Sequence, residues 1–521
     1  MLLSGEEWYL FDPEKYHQGE KRGRISLPTY PFVEQKYWIE GNPYEMMSDS
    51  GLSQVQGKNY DISKWFYRSL WKESEISIEY EDKGQAVNYM VFVDEIGFIK
   101  QMMPQIAKNN DHIVYVSRGS RFVKESSNRY MVNPNLESDY EKLFQEVEQE
   151  NLWPDKLLHC WHVTTNISEH ESLLEDFERD METGCLSLLY IAKNAAKRIK
   201  RLRITIITNQ SQQVVGDEEI NPAKNTMLSH VLCIPQEYNF IHCKLIDIQY
   251  PISNRIVLQK LGMKLNKELQ DNVDDMVVAY RGSSRLILNY EQYPIKEEKP
   301  EELPLVEEGV YMITGGLGGI GSILANYLGE KYHAKLALLG RDGLPSRDQW
   351  NQILQTKDKE YKVASALKRF LRLRKNGGTV LALKADVSDE EQLEQAIKDT
   401  EAQFGRIRGV IHAAGIIKGE SMTSIEDMTP ELFRTQFASK IYGTIHLYEC
   451  FKEKKIDFCL LMSSISTVLG GLGYIAYTAA NCYLNAFADY CSMHSLNRWI
   501  SIDWSDWKYW NDGELDSKIG Q

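Results

Sequence analysis

The stretch YTAANCYLNAF starts at Tyr477 and places the amide of Asn481 four residues further on, among small and apolar residues. That spacing puts both side chains on one face of a helix. A phenol can hand a proton to a substrate oxygen, but its ordinary pKa of about 10 is too high for efficient transfer near neutral pH. A nearby cation would lower it, and Asn481 supplies none. Thirteen residues before Tyr477, the apolar strand of DFCLLMSS ends in Ser463 and Ser464, and a glycine-rich loop follows. Upstream again, FRTQFASKIYGTIHLYE puts Lys440 on an otherwise apolar helical face. A lysine there either snorkels to the surface, as most do, or serves something inside.

A second constellation belongs to a cofactor. GVYMITGGLGGIGSILANYLGEKY reads as a short strand, a glycine-rich turn and an amphipathic helix. Glycines let the backbone approach a pyrophosphate, toward which the free N–H groups of the helix start would point. The run from Gly315 through Gly316, Leu317, Gly318, Gly319, Ile320 and Gly321 follows TGxxxGxG, with strand, loop and helix in the order that gives the motif meaning. The next strand, AKLALLGRDG, ends in Arg341, where a guanidinium would favour the extra phosphate of NADPH over NADH; Asp342 stands beside it. A third strand ends at Asp386 and Val387, with Ser388 as the expected cap of the following helix. A fourth, in GVIHAAGIIKG, breaks at Ala413, Ala414 and Gly415, small enough for a flat ring to approach.

These residues need an α/β scaffold. The 521 residues suffice for two or three domains, and a formal charge of −14 argues against a nucleic-acid binder or a binder of anionic membranes. Eight cysteines without a CxxC pair read as reduced thiols. The alternation in HCWHV at His159 is that of a strand, so no metal site is expected there. No apolar run approaches the roughly 20 residues of a membrane span. The beginning, MLLSGEEWYLF, lacks a basic segment. A cytoplasmic location is the expectation.

Three zones follow along the chain. Residues 1–45 carry LPTYPFVEQKYWIE, an extended segment rich in proline and rings. Residues 46–300 alternate strands, at Tyr89, His112, Leu157, Arg203 and Phe240, with amphipathic stretches such as CLSLLYIAKNAAKRIKRL; the alternation implies a mainly parallel sheet. None of these strands precedes a glycine-rich loop. YPIKEEKPEELPLVEEG separates that zone from residues 301–521, where the βα alternation restarts. No close internal repeat is visible, although two successive α/β units allow a remote duplication.

Taken together, TGGLGGIG, HAAG, Lys440, Ser464 and YTAAN resemble the ketoreductase domain of a modular polyketide synthase, in the short-chain dehydrogenase/reductase superfamily. In that family the Tyr motif carries Asn and the lysine comes from the preceding helix. The resemblance thus implies that Lys440 is the missing cation, Tyr477 the acid, Ser464 the residue holding the carbonyl, and Asn481 a partner of Lys440 or of a water chain. It implies two Rossmann-like subdomains, a truncated structural one without a cofactor site and then a catalytic one binding NADPH. Residues 1–45 resemble the linker that trails a ketosynthase or acyltransferase. The implied reaction is reduction of a β-ketoacyl thioester on the phosphopantetheine of an acyl carrier protein, with domains such as ketosynthase as neighbours; a silent, reductase-like scaffold is the alternative. Two features depart from the family. The stretch Ile417–Gly419 lacks the LDD motif of B-type enzymes, and Leu469 stands where A-type enzymes carry Trp, which leaves the hydroxyl configuration open. The family's lid and last strand would follow WSDWKYW, and they are expected either in a continuation of this chain after Gln521 or on another polypeptide.

Overall fold

The apolar runs of the second and third zones build two sheets in the computed structural model, which describes residues 61–505 apart from 77–85, 166–171, 253, 270–274, 296–303, 356–360 and 377. The aromatic segment 1–45, part of the charged connector and the stretch after Ser505 lie outside the described residues. Strands β1 (Tyr67–Glu73), β2 (Asn88–Phe92), β3 (His112–Arg118), β4 (Val123–Ser126), β5 (Arg129–Val132), β6 (Lys156–His159), β7 (Leu202–Thr208), β8 (Ile241–Ile248), β9 (Val277–Arg281) and β10 (Ser284–Gln292) form the first sheet. Its order is β1-β10-β9-β8-β7-β6-β2-β3-β5-β4. The second sheet contains β11 (Val310–Thr314), β12 (Lys335–Gly340), β13 (Thr379–Lys384), β14 (Gly409–His412), β15 (Phe458–Ser464) and β16 (Trp499–Trp504). Its order is β13-β12-β11-β14-β15-β16, parallel throughout.

The first sheet contains the second's plan. Its stretch β5-β3-β2-β6-β7-β8 is parallel and runs third, second, first, fourth, fifth, sixth in chain order, as the second sheet does. This is the doubly wound order whose reversal point leaves a crevice at the carboxyl ends of the strands. Central strands are buried on both faces, since helices cover each side; β11 is buried at every position. The five strands expected in this zone all form. The one at Leu157 ends early, at His159, because the Val163 N–H turns back to the Cys160 carbonyl at 3.0 Å. The expected helix forms as Ser187–Arg198, preceded by a π turn, Glu182–Leu186.

The described residues from Phe66 onward form one compact unit. Of the preceding residues, 61–65 are described, a single 3₁₀ turn at Ile62–Lys64 capped by Asp61. Between the sheets, Phe177 meets the rings of Phe437, Tyr442 and Tyr483 edge-on. The Asn225 amide donates to the Cys482 carbonyl at 3.0 Å. Glu178 accepts from the Tyr442 hydroxyl and pairs with Arg434. Among the described residues no helix is long and apolar enough to cross a membrane.

Candidate active site

The glycine loop folds as a cradle. Gly315 has φ of +66°, a conformation that glycine adopts without strain. A Cβ there would lie 2.8 Å from the Ala413 carbonyl oxygen, so the first and fourth strand ends touch backbone to backbone. Gly318 N–H donates to the Gly315 carbonyl at 2.8 Å, and the helix Gly319–Tyr332 starts with no side chain capping it. Its first N–H groups, in the turn that includes Ile320 and Gly321, are therefore available to an anion. Leu317 is buried, and its carbonyl accepts from Arg369 at 2.9 Å. This geometry fits a dinucleotide pyrophosphate.

The neighbouring strand ends complete the cradle. Arg341 is exposed just after β12, and the Ala385 N–H donates to the Gly340 carbonyl at 3.2 Å, so Arg341 and Asp386 lie on adjacent strand ends. Asp386 is turned onto Ser388, accepting from its N–H at 2.9 Å and its hydroxyl at 2.7 Å. The cap of the next helix is Asp389 rather than Ser388: Asp389 accepts from the Gln392 N–H at 3.1 Å, and Ser388 is spent on Asp386. Val387 is buried against Gly443. Two residues escaped the sequence reading. Thr314 and His412 stand opposite each other where β11 and β14 end, Oγ1 to Nδ1 at 2.7 Å, and Thr314 Oγ1 also accepts from the Ala414 N–H at 3.3 Å. They pin the HAAG turn. The available signal was a hydroxyl and an imidazole closing two neighbouring apolar strands.

Lys440 does not snorkel. It is 5% exposed and sits in a π turn, Ala438–Tyr442, that interrupts an otherwise continuous helical run from Pro430 to Phe451. Such turns recur at functional sites. Its Nζ donates to the Met462 carbonyl at 2.8 Å and lies 6.0 Å from the centroid of the Tyr477 ring. Its stem runs against Gly415, where a Cβ would come 3.0 Å from Lys440 Cε. Burial pushes its pKa down to about 8, against the opposing pull of the Asp503 carboxylate. At pH 7 it remains mostly charged.

Tyr477 occupies the first turn of the helix Ile475–His494, half-buried, with its ring edge-on to Tyr474. Asn481 Nδ2 donates to the Tyr477 carbonyl at 2.8 Å, whereas its buried Oδ1 has no hydrogen-bond donor among the described residues. Ser463 Oγ donates to the Asn481 carbonyl at 3.2 Å, tying the end of β15 to this helix. Ser464 is buried and accepts from the Ser466 N–H at 3.2 Å, which leaves its own hydroxyl hydrogen to donate. Lys440, Tyr477, Asn481 and Gly415 thus converge, and the end of β15 delivers Ser464 beside them.

The first sheet fills the corresponding places from within. Register aligns Phe92 with His159 and Thr314 with His412, so His159 takes the place of His412. Carried along the chain, His162 then matches Gly415 and, through the pairing of β6 with β7, Asn209 matches Ser464. Gly184 and Lys440 are each the third residue of a π turn after the fourth strand. A Cβ on Gly184 would lie 2.9 Å from His162 Nε2, so here the loop supplies the large side chain and the helix the glycine. Lys224 closes the space, donating to Asn209 Oδ1 at 3.0 Å and Thr164 Oγ1 at 2.8 Å. At the first strand, where the second sheet has its glycine cradle, the buried Asp94 carboxylate accepts from the N–H groups of Phe98 and Ile99 at 2.6 and 2.8 Å. A side chain occupies the anion position.

Residues 309–509 match the family model described as KR domain, and residues 88–263 match one described as beta-ketoacyl synthase-like, N-terminal. Polyketide synthase PksM of Bacillus subtilis (strain 168) is 27% identical over 500 residues, 95% of this chain and 10% of that protein. The 6-methylsalicylic acid synthase of Aspergillus terreus is 34% identical over 202 residues, 39% of this chain and 11% of that one. The chain therefore spans about a tenth of the length of these relatives. Among solved structures, an adenylation, ketoreductase and pseudo-Asub multidomain structure of a keto acid-selecting NRPS module aligns with TM-score 0.72 and 26% identity, over 84% of this chain and 35% of that one. An N-terminal ketoreductase from the macrolactin assembly line aligns with TM-score 0.68 and 22% identity, over 85% and 84%, and shares the fold.

Proposed function

We propose that the chain, whose residues 309–509 match the KR domain model, works as a ketoreductase of a polyketide synthase and reduces a β-ketoacyl thioester to the β-hydroxyacyl thioester. The substrate rides on the phosphopantetheine arm of an acyl carrier protein within a multidomain synthase, with ketosynthase as a neighbour. Residues 301–521 are the catalytic part and residues 46–300 the structural part. The observation that carries this reading is the buried Lys440 ammonium beside Tyr477, held over Gly415 by a π turn.

When bound, NADPH supplies the hydride for the carbonyl carbon. Its pyrophosphate would rest on the Gly315–Gly321 turn, its 2′-phosphate against Arg341, its adenine side near Asp386 and Val387, and its nicotinamide side near Ala413, Ala414 and Gly415. Tyr477 gives its phenolic proton to the carbonyl oxygen as negative charge gathers there. The Lys440 charge favours the phenolate that remains and so brings the phenol toward a useful acidity. Ser464 donates its hydroxyl hydrogen to the same oxygen and holds the carbonyl for attack. Asn481 Oδ1, buried and open, accepts from a water that returns a proton to Tyr477.

The test is cofactor oxidation with a β-ketoacyl thioester, run with NADPH and with NADH. The expected outcome is turnover with NADPH, and a preference for NADPH that Arg341→Ala removes. Binding of NADPH without reduction of any β-ketoacyl thioester would identify a silent scaffold instead.

A further inference from the structure

Two loops connect the proposed catalytic groups along the chain. Residues 465–474 join Ser464 to the helix of Tyr477, and residues 416–429 join Gly415 to the helix run that carries Lys440. Both end on one carboxylate of the first sheet's side of the molecule. Glu237 is the last residue of the helix Leu228–Glu237. Its Oε2 accepts from the Ile425 N–H at 2.7 Å and its Oε1 from the Gly473 N–H at 3.1 Å, partners 188 and 236 residues away. Hydrogen bonds from backbone N–H groups to an ionised carboxylate are among the stronger ones.

The surroundings reinforce this grip. Gln236 Nε2 donates to the Leu469 carbonyl at 2.6 Å. Gly470, at φ of +66°, packs so closely on the same helix that a Cβ would lie 2.7 Å from Gln236 Nε2 and 3.1 Å from the Leu232 carbonyl oxygen. Gly473, at φ of +72°, faces the other loop, with a Cβ position 3.5 Å from the backbone of Thr423. The loops therefore touch each other, and Glu237 fastens both from beneath. Leu469 and Leu472, in the loop 465–474, are exposed.

We propose that Glu237 is a positioning residue that locks these two loops in register and so fixes how the acyl chain enters and which face of its carbonyl is reduced. The proposal rests on the ketoreductase reading. A cofactor seated on the glycine turn would present its hydride from one side, so product configuration would follow from which way the acyl chain leaves the site, and the walls beside Tyr477 would decide that. Each oxygen of Glu237 serves a different wall. Glutamine keeps the shape but has one acceptor atom, so it can hold only one of them.

The experiment compares wild type, Glu237→Ala and Glu237→Gln by kcat, KM and product enantiomer ratio with a β-ketoacyl thioester. Amide exchange in peptides spanning Ile425 and Gly473 is measured alongside. Loss of two charge-assisted bonds should speed exchange in both peptides by about tenfold or more in Glu237→Ala. KM should rise by about tenfold and the enantiomer ratio move toward equality, with kcat changed less than about threefold. Glu237→Gln should loosen one peptide only, and it carries the test if the alanine variant fails to fold. A role in stability alone would lower the active fraction and leave KM and enantiomer ratio as they were. Unchanged exchange, or faster exchange with wild-type KM and ratio, overturns the proposal. If the wild type reduces no thioester, the ketoreductase reading falls, and unchanged exchange would then remove the clamp as well.

Discussion

At the scale of single residues, Lys440 gives up stability to hold a charge beside Tyr477, where the proposed reaction would use it. Its folded pKa of about 8 lies below the 10.5 of a free lysine, with burial as the leading cause. Below about pH 8 both folded and unfolded chains carry the proton, and the full cost of burying it is present. Between about 8 and 10.5 only the unfolded chain holds the proton, so stability rises with pH through that window. The displacement corresponds to roughly 3 kcal/mol, against about 1 kcal/mol for the hydrogen bond to Met462. Lys440→Met should therefore melt no lower than the wild type at pH 7 in a thermal melt, while losing turnover. Wild-type turnover should decline as pH passes about 8 and the ammonium is lost. A variant that melts several degrees lower would make Lys440 a structural residue. The sequence showed the lysine on an apolar face but not its depth, because the π turn that buries it has no signature in the residues ASKIY.

At the scale of elements, the two sheets differ in what stands at the start of the first helix. After β11 no side chain caps the helix N–H groups, whereas after β2 Asp94 takes them. Asp94→Ala should lower stability by about 1–3 kcal/mol, read as a drop in melting temperature, and leave NADPH affinity unchanged. Weakened NADPH binding would contradict the division between the sheets. Here the sequence was informative where periodicity is strong. The glycine turn, the apolar strands and the mainly parallel direction of pairing followed from it. The hairpin β4–β5 and the outer strands β1 and β10 did not, since segments such as VKES in β4, half-buried at Val123 and exposed from Lys124 to Ser126, carry no alternation. Pairing across the chain decides those. Asp389 displaced Ser388 as a cap for a similar reason, since only the fold turns Ser388 onto Asp386.

At the scale of the molecule, one plan is built twice, and the first copy is filled by Lys224, His162 and Asp94 where the second is open. NADPH titration by calorimetry should give one site per chain, and two sites would contradict the filled counterpart. The same contacts tie the first sheet's side to the proposed site, since Glu237 reaches its loops and Glu178 and Asn225 reach its helices. None of these links was legible, because their partners lie hundreds of residues apart and obey no local pattern. The central claim, that Lys440 and Tyr477 act as one acid, is tested most directly by a double-mutant cycle on NADPH-dependent reduction of a β-ketoacyl thioester. Tyr477→Phe and Lys440→Met should each lower kcat by about a hundredfold or more, and the double variant should be no worse than the poorer single one. Wild-type turnover in Lys440→Met, or losses that multiply in the double variant, would contradict it.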